Sequence, residues 1–499
     1  MKKRIAAVIM VSIMILSSAT QVLACTGTII GKDVSADGST LIGRTEDIDS
    51  AHTKQFVVHP RTEYKSTDIF KDPVTGFKYP QPKVSYKYTA VPDSEIEEDG
   101  IYAEVGSNEY GVCIDATVSA SPNDTVLKYD PLVENGLREA NIPTIVLPRV
   151  KTAKEGIKLV ASIVEKQGSA EGNILVIADK NEVWYMEILS GHRYAAIKFP
   201  ENVAAVFPNC YMLGYVNLQD SKNVIASKDL LTFAKNHGFY KEYKGKFHTA
   251  LSYGEPLEQG NRDRLWGAQN LLAPSKNISY DSQVFDLFIT PDKKVSLKDL
   301  MELQRYRYEG TKIDANLPEN KTVRPIGTER QAECHIIQLK DKYPTELGGI
   351  MWLAMGNAEH SVYLPTYGNI NDTHKAYKVK TANYSPDSAY WIFRSLSTLS
   401  ELDRDKYGKS VREYWSDYED NLIAEQEKTD KKVLEIYNKD KAKAAEYTTQ
   451  LGIDIAEDAM SKAKTIYEEL FTYVSREAGR PNKTPFVPSI STVEQDVAK

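Results

Sequence analysis

Cys25-Thr-Gly-Thr-Ile-Ile-Gly31 and Thr40-Leu-Ile-Gly-Arg44-Thr-Glu-Asp47 flank a turn-forming stretch, Lys32 to Ser39, whose sharpest punctuation is Asp37-Gly38. Both flanks favour β structure, and an Asp-Gly step between such runs is a hairpin signal. A turn centred near Ser35 to Asp37 returns the chain opposite Cys25 at about Glu46. Arg44 and Asp47 are thereby predicted to lie beside Cys25. There Arg44 lowers the thiol pKa, because a nearby cation favours thiolate, and Asp47 accepts a hydrogen bond from an ammonium on residue 25. The alternative for both is a solvated strand end.

What precedes Cys25 gives the hairpin its meaning. Lys2, Lys3 and Arg4 lead into an apolar run, Ile5 to Leu16, broken only by Ser12, and Val22-Leu23-Ala24 closes the stretch. Residues 1–24 read as a secretory signal peptide, with a core too short for a permanent membrane helix. No later uncharged apolar run reaches spanning length, so a secreted or extracytoplasmic protein without stable membrane insertion is expected. Cleavage after Ala24 places a thiol and a free α-amine on one residue. Their ordinary pKa values, about 8.5 and about 7.7–8.0, let a proton pass between them near neutrality. That is the logic of a nucleophile with an adjacent base. A cysteine in this position is also where bacterial lipoproteins carry their lipid, a use that consumes the sulfur. Leu23 fits that signal poorly, and the returning Arg44 and Asp47 favour the nucleophile.

The remainder of the chain excludes more than it adds. The formal charge is -7 over 499 residues, and losing Lys2, Lys3 and Arg4 makes it more negative, which argues against nucleic acid as a partner. There are four cysteines, Cys25, Cys113, Cys210 and Cys334; the last three read as small buried hydrophobes rather than a disulfide scaffold. The eight histidines are scattered, and no zinc, P-loop, dinucleotide or Gly-x-Ser-x-Gly signature appears, so neither a metal nor a cofactor is expected. Oligomeric state is left open.

Ile142 to Val150 reads as a strand, followed by a capping box, Thr152-Ala-Lys-Glu155, and a helix with Ile157, Val160, Ala161 and Val164 on one face before Gly168. Asn173 to Ala178, Val183 to Ile188, Arg193 to Phe199 and Val203 to Phe207 read as four consecutive strands. Closely spaced strands with few helices between them predict an antiparallel sheet carrying helices, an α+β architecture. From about Asp403 to Glu477 the pattern is helical, with Ile455, Ala459, Ala463, Ile466, Leu470 and Val474 at helical spacing and Gly479 and Pro481 as its stop. Lys483 to Lys499 reads as a loose tail.

Cys25-Thr-Gly-Thr-Ile-Ile-Gly-Lys, Asp37-Gly-Ser-Thr-Leu-Ile-Gly-Arg44 and Glu46-Asp47 resemble the start of the dipeptidase A family of N-terminal-nucleophile cysteine peptidases. More distantly they resemble the bile-salt hydrolase and penicillin V acylase group. The likeness continues through Ser107-Asn-Glu-Tyr-Gly-Val112, Asn141-Ile-Pro-Thr-Ile-Val-Leu-Pro148, Glu182-Val-Trp-Tyr-Met-Glu187, Arg264-Leu-Trp266, Tyr308-Glu-Gly-Thr311 and Arg324-Pro-Ile326. Glu333-Cys-His335, Trp352-Leu-Ala-Met-Gly356 and Tyr390-Trp-Ile-Phe-Arg394 carry it to the helical end. The resemblance implies a four-layer αββα sandwich with a helical C-terminal extension, and amide hydrolysis through a thioester. It implies Cys25 as nucleophile with Arg44 and Asp47 as partners, Asn209 as an oxyanion-hole donor and Arg264 as a second arginine, with Arg262 two residues away. Val118 stands where the acylase group has another asparagine, so that donor is absent or moved. His335 is as readily structural as functional.

The expected organisation is a signal peptide over 1–24, a hydrolase domain over 25–400, a helical region packed on it over 401–482 and a tail over 483–499. The expected activity is that of a secreted dipeptidase acting on dipeptides or short peptides. Its rivals are an N-acyl amidase of bile-salt-hydrolase or penicillin-acylase type and a lipid-anchored binding protein held by Cys25.

Overall fold

The computed structural model describes residues 25–48, 52–94, 100–477, 479–480 and 482–492, without the side chains of 116–118. The expected signal peptide and Pro481 lie outside these residues, and so does the side chain of Val118.

The core strands, in chain order, are β1 (Thr26–Ile30), β2 (Thr40–Asp47), β3 (Val105–Ser107), β4 (Cys113–Ser119), β5 (Asn173–Asp179) and β6 (Glu182–Ile188). They continue with β7 (Tyr194–Lys198), β8 (Ala204–Phe207), β9 (Val224–Ala226), β10 (Gln331–Leu339), β11 (Ile350–Met355) and β12 (Leu364–Tyr367). Two 6-stranded sheets result, ordered β8-β1-β2-β10-β11-β12 and β9-β7-β6-β5-β4-β3. Every pairing within them is antiparallel.

Period-2 alternation on β5 shows how the layers stack. Ile174, Val176 and Ala178 belong to the core that also holds Ile29 and Ile42 of the other sheet. Leu175 and Ile177 turn outward and meet Ile157, Val160 and Val164 of the helix Ala153–Gln167. That helix begins at Thr152, whose side chain accepts from Glu155 N, while the Glu155 carboxylate takes Lys151 N instead of closing the box on Thr152. Gly168 ends it at φ 81°. On the other sheet, the helix Leu297–Arg305 lies so close to β2 that a Cβ on Gly43 would stand 2.7 Å from Gln304 Nε2. Ala389–Glu401 packs on β11 of the same sheet. The fold is therefore the α+β, four-layer αββα sandwich, with a helical C-terminal region.

Three expectations need correction. Ile142–Val146 is a short helix rather than a strand, and Leu147 and Val150 are buried beyond it. Pro143 sits in its first turn, where proline pre-sets the helical φ and loses no needed donor, and a short apolar run alone does not separate buried helix from buried strand. The fourth of the consecutive strands, β8, leaves its neighbours and pairs with β1 in the other sheet. The tail from Lys483 is docked over its described part: Phe486 is buried against Tyr473, and Ser489 N donates to Glu469.

The C-terminal helices Lys409–Lys439 and Lys441–Glu477 break at Asp440, whose carboxylate caps the second one through Ala442 N and Lys443 N. Among the described residues no helix is long and apolar enough to cross a membrane. A buried ion pair fastens the first of these helices to the sandwich. Arg305 donates to Glu419 Oε1 at 2.5 Å and to Oε2 at 2.9 Å, and Tyr363 N donates to Oε1 at 2.9 Å. Glu419→Ala leaves the buried Arg305 with the part-exposed Glu302 as its remaining carboxylate, at 2.9 Å, and is expected to cost about 3 kcal/mol, the low end for breaking a buried pair. Urea denaturation of variant and parent checks this, and an unchanged midpoint would contradict it.

Candidate active site

The hairpin register places the site. Thr26 pairs with Thr45 and Gly27 with Arg44, so the ladder continues to put Cys25 across from Glu46, the position read from the turn. On its other edge β1 pairs with β8, Gly27 facing Phe207. Gly27 has to be glycine, because a Cβ would stand 2.0 Å from the Phe207 ring. β8 then runs out into Pro208 and Asn209. Cys25 thus lies where the ends of β1, β2 and β8 converge.

Cys25 is 1% exposed, and Arg44 Nη2 donates to its Sγ at 3.0 Å. Burial drives the thiol well above its ordinary pKa; Arg44 pulls it back, while Glu139, Asp47 and Glu104 push it further up. Arg44 is itself fully buried among carboxylates. Its Nη1 stands 2.6 Å from Glu104 Oε2 and 3.8 Å from Glu333 Oε1, and its Nη2 3.6 Å from Glu139 Oε1. Burial opposes its charge, but Cys25, Glu104, Glu46 and Glu139 outweigh it and raise Arg44's pKa well above its ordinary value, so it stays charged.

Asp47, also buried, receives Arg324 Nη2 at 2.6 Å. Burial raises its carboxyl pKa, and Arg324 and Arg264 work against the rise. Arg264, on the helix Gln259–Leu272, joins the remaining predicted residues. Its Nη1 donates to the Cys25 carbonyl oxygen, to Thr26 Oγ1 at 3.2 Å and to Asn209 Oδ1 at 2.9 Å; its Nη2 donates to Asn261 Oδ1 at 2.7 Å. Burial and the Arg324 charge pull its pKa down to about 10. Asn209 Nδ2 donates to the Ser119 carbonyl at 3.0 Å. A primary amide carries two N–H bonds, so one remains for a developing oxyanion. The structure thus gathers Cys25, Arg44, Asp47, Asn209 and Arg264 around one point. Arg262 turns outward to Gln283 instead.

His335 lies across the ladder from Arg44 and is buried between Glu333, 3.0 Å from Nδ1, and Asp115, 3.7 Å from Nε2. Burial opposes its charging, but the two carboxylates prevail and raise it to about 9. Cys113 and Cys334 are buried, Cys210 half-buried, and none is in a disulfide. Glu104, Glu139 and Arg324 are the charged neighbours of Arg44 and Asp47 that sequence reading missed. Their flanking residues, such as Leu137-Arg-Glu139-Ala-Asn-Ile142, carry no signal that sets them apart from surface charges.

The chain belongs to peptidase family C69, which it matches over residues 24–417. It is 42% identical over 461 residues to "Probable dipeptidase B" of Streptococcus pyogenes serotype M1, covering 90% of this chain and 92% of that one. It is 33% identical over 387 residues to "Probable dipeptidase" of Latilactobacillus sakei, covering 76% and 81%. Among solved structures it is similar to a mutant conjugated bile acid hydrolase from Clostridium perfringens, at TM-score 0.30 and 14% identity, covering 69% of this chain and 92% of that one. The chain is a peptidase.

If Asn209 donates to the oxyanion, Asn209→Ala lowers kcat by roughly 10²–10³ with little change in KM. Steady-state kinetics on a peptide substrate decide this; an unchanged kcat removes Asn209 from the chemistry.

Proposed function

We propose that this peptidase is a secreted dipeptidase whose nucleophile is Cys25, exposed as the first residue when the 24–25 bond is cut. The observation that carries the reading is Cys25 Sγ held at 3.0 Å by a buried arginine, at the first position after an expected signal peptide. The relatives' names supply the substrate class, dipeptides. The α-amine of Cys25 takes the thiol proton, Asp47 steadies the resulting ammonium and Arg44 steadies the thiolate. The sulfur attacks the scissile carbonyl carbon while Asn209 receives the oxyanion. The C–N bond breaks as the ammonium proton passes to the leaving amine, and water then hydrolyses the thioester to regenerate the thiol. A buried Sγ also weighs against a lipid anchor, which needs its sulfur at the surface.

Mass spectrometry of the exported protein, paired with dipeptide hydrolysis, tests the reading. A chain beginning at an unmodified Cys25 and cleaving dipeptides is expected. A lipid adduct on Cys25, or an uncleaved chain with full activity, would refute it.

A further inference from the structure

Glu104 is 0% and Glu139 1% exposed, yet Oε1 of each accepts no hydrogen bond among the described residues. The other Glu139 oxygen is fully engaged, by Ser119 Oγ at 2.6 Å and Asn173 Nδ2 at 2.9 Å. That fixes the carboxylate, and among the described residues the cation nearest Oε1 in the ion pairs of this site is Arg44 Nη2, at 3.6 Å, beyond hydrogen-bond reach. The same Arg44 nitrogen holds Cys25 Sγ at 3.0 Å, so Glu139 Oε1 stands about two contact lengths from the nucleophile. A buried carboxylate oxygen without a donor is costly. The surroundings repair it only in part: among the described residues the buried cations here are Arg44, Lys54 and the protonated His335, against Glu46, Asp93, Glu104, Asp115, Glu139 and Glu333. What the site lacks is a cation with hydrogen-bond donors.

Ser119 shows where that cation belongs. Its carbonyl accepts from Asn209 Nδ2 and its hydroxyl donates to Glu139, so Glu139 sits on the Asn209 side of Cys25. In a dipeptide the α-nitrogen is two bonds from the scissile carbonyl carbon. With that carbon at Sγ and its oxygen at Asn209, the α-nitrogen must land near a group adjacent to both.

We propose that Glu139 Oε1 binds the α-ammonium of the substrate's first residue, so that a free N-terminus is a condition of cleavage. This rests on the dipeptidase reading above. It also couples binding to chemistry. Glu139 opposes the Cys25 thiolate, and an ammonium bound at its Oε1 offsets that opposition. A substrate without the amine forfeits the contact and leaves the thiol harder to ionise.

The experiment takes the best-cleaved member of a dipeptide panel and its des-amino analogue, in which hydrogen replaces the α-amine. For the mature protein, kcat/KM is expected to favour the dipeptide by roughly 10²-fold or more, as sites built to bond a polar substrate group reject the analogue lacking it. In Glu139→Gln the ratio should collapse through loss on the dipeptide alone. Equal cleavage of the two compounds by the parent enzyme overturns the proposal, and this arm needs no variant. Loss on both compounds alike in Glu139→Gln also overturns it, giving the carboxylate to the Cys25 amine or to the fold. Failure to cleave any dipeptide, with amides of another kind still hydrolysed through Cys25, would instead overturn the dipeptidase reading itself.

Discussion

Cys25→Ser is expected to lower turnover by roughly 10³-fold or more with the fold intact, the scale on which hydrolases lose activity without their nucleophile. The reason is local. Among the contacts of the described residues, Cys25 is the cysteine whose sulfur receives a guanidinium N–H, from Arg44 at 3.0 Å, and that contact favours a thiolate, which a serine hydroxyl cannot match. Cys210 has its pKa pushed up to about 12 by burial, with Arg264 offering partial relief. Cys113 and Cys334 are raised by burial too, and no cation appears among the causes of either shift. Alanine at each of these three positions should therefore leave kcat within a few-fold, with circular dichroism confirming the fold. A folded Cys210→Ala protein as inactive as Cys25→Ser would move the nucleophile to Cys210.

Legibility followed how local each signal was. The hairpin is written in consecutive residues: a turn at Asp37-Gly38, with Gly38 at φ 74°, and flanks whose lengths set the register that lays Arg44 opposite Gly27. Arg44 and Asp47 were therefore placed beside Cys25 from spacing alone. Asn209 and Arg264 carry no such signal, and only the family resemblance singled them out. Glu104, Glu139 and Arg324 arrive from a loop before β3, a short helical turn and a loop before β10, and nothing local tells them from surface charges. Their meaning appears only once two sheets bring them to Arg44 and Asp47. The Ile142 to Val150 misreading has the same root, since periodicity does not decide a short, fully apolar segment.

One inert residue left in front of Cys25 should give a protein that folds and does not turn over. In such a chain the thiol, Arg44 and Asp47 are all present, but the residue-25 nitrogen is an amide and cannot accept a proton. Loss of a general base ordinarily costs 10²–10⁴ in rate, and here the cost should sit at the upper end. Burial and the Glu139, Asp47 and Glu104 charges hold the thiol well above its ordinary pKa, so little thiolate forms without a base. The pH profile gives the sign. In the mature chain the amine must be neutral to take the proton, so activity should rise with pH through the amine pKa; in the extended chain that limb should be missing. Mass spectrometry verifies that the extra residue stays in place, and kcat of the two chains is compared across pH. Full activity in the extended chain would hand the base role to another group. His335 is poorly suited to it, since Glu333 and Asp115 keep it protonated up to about pH 9. Cys25 would then remain the nucleophile, but its own α-amine would not be what activates it.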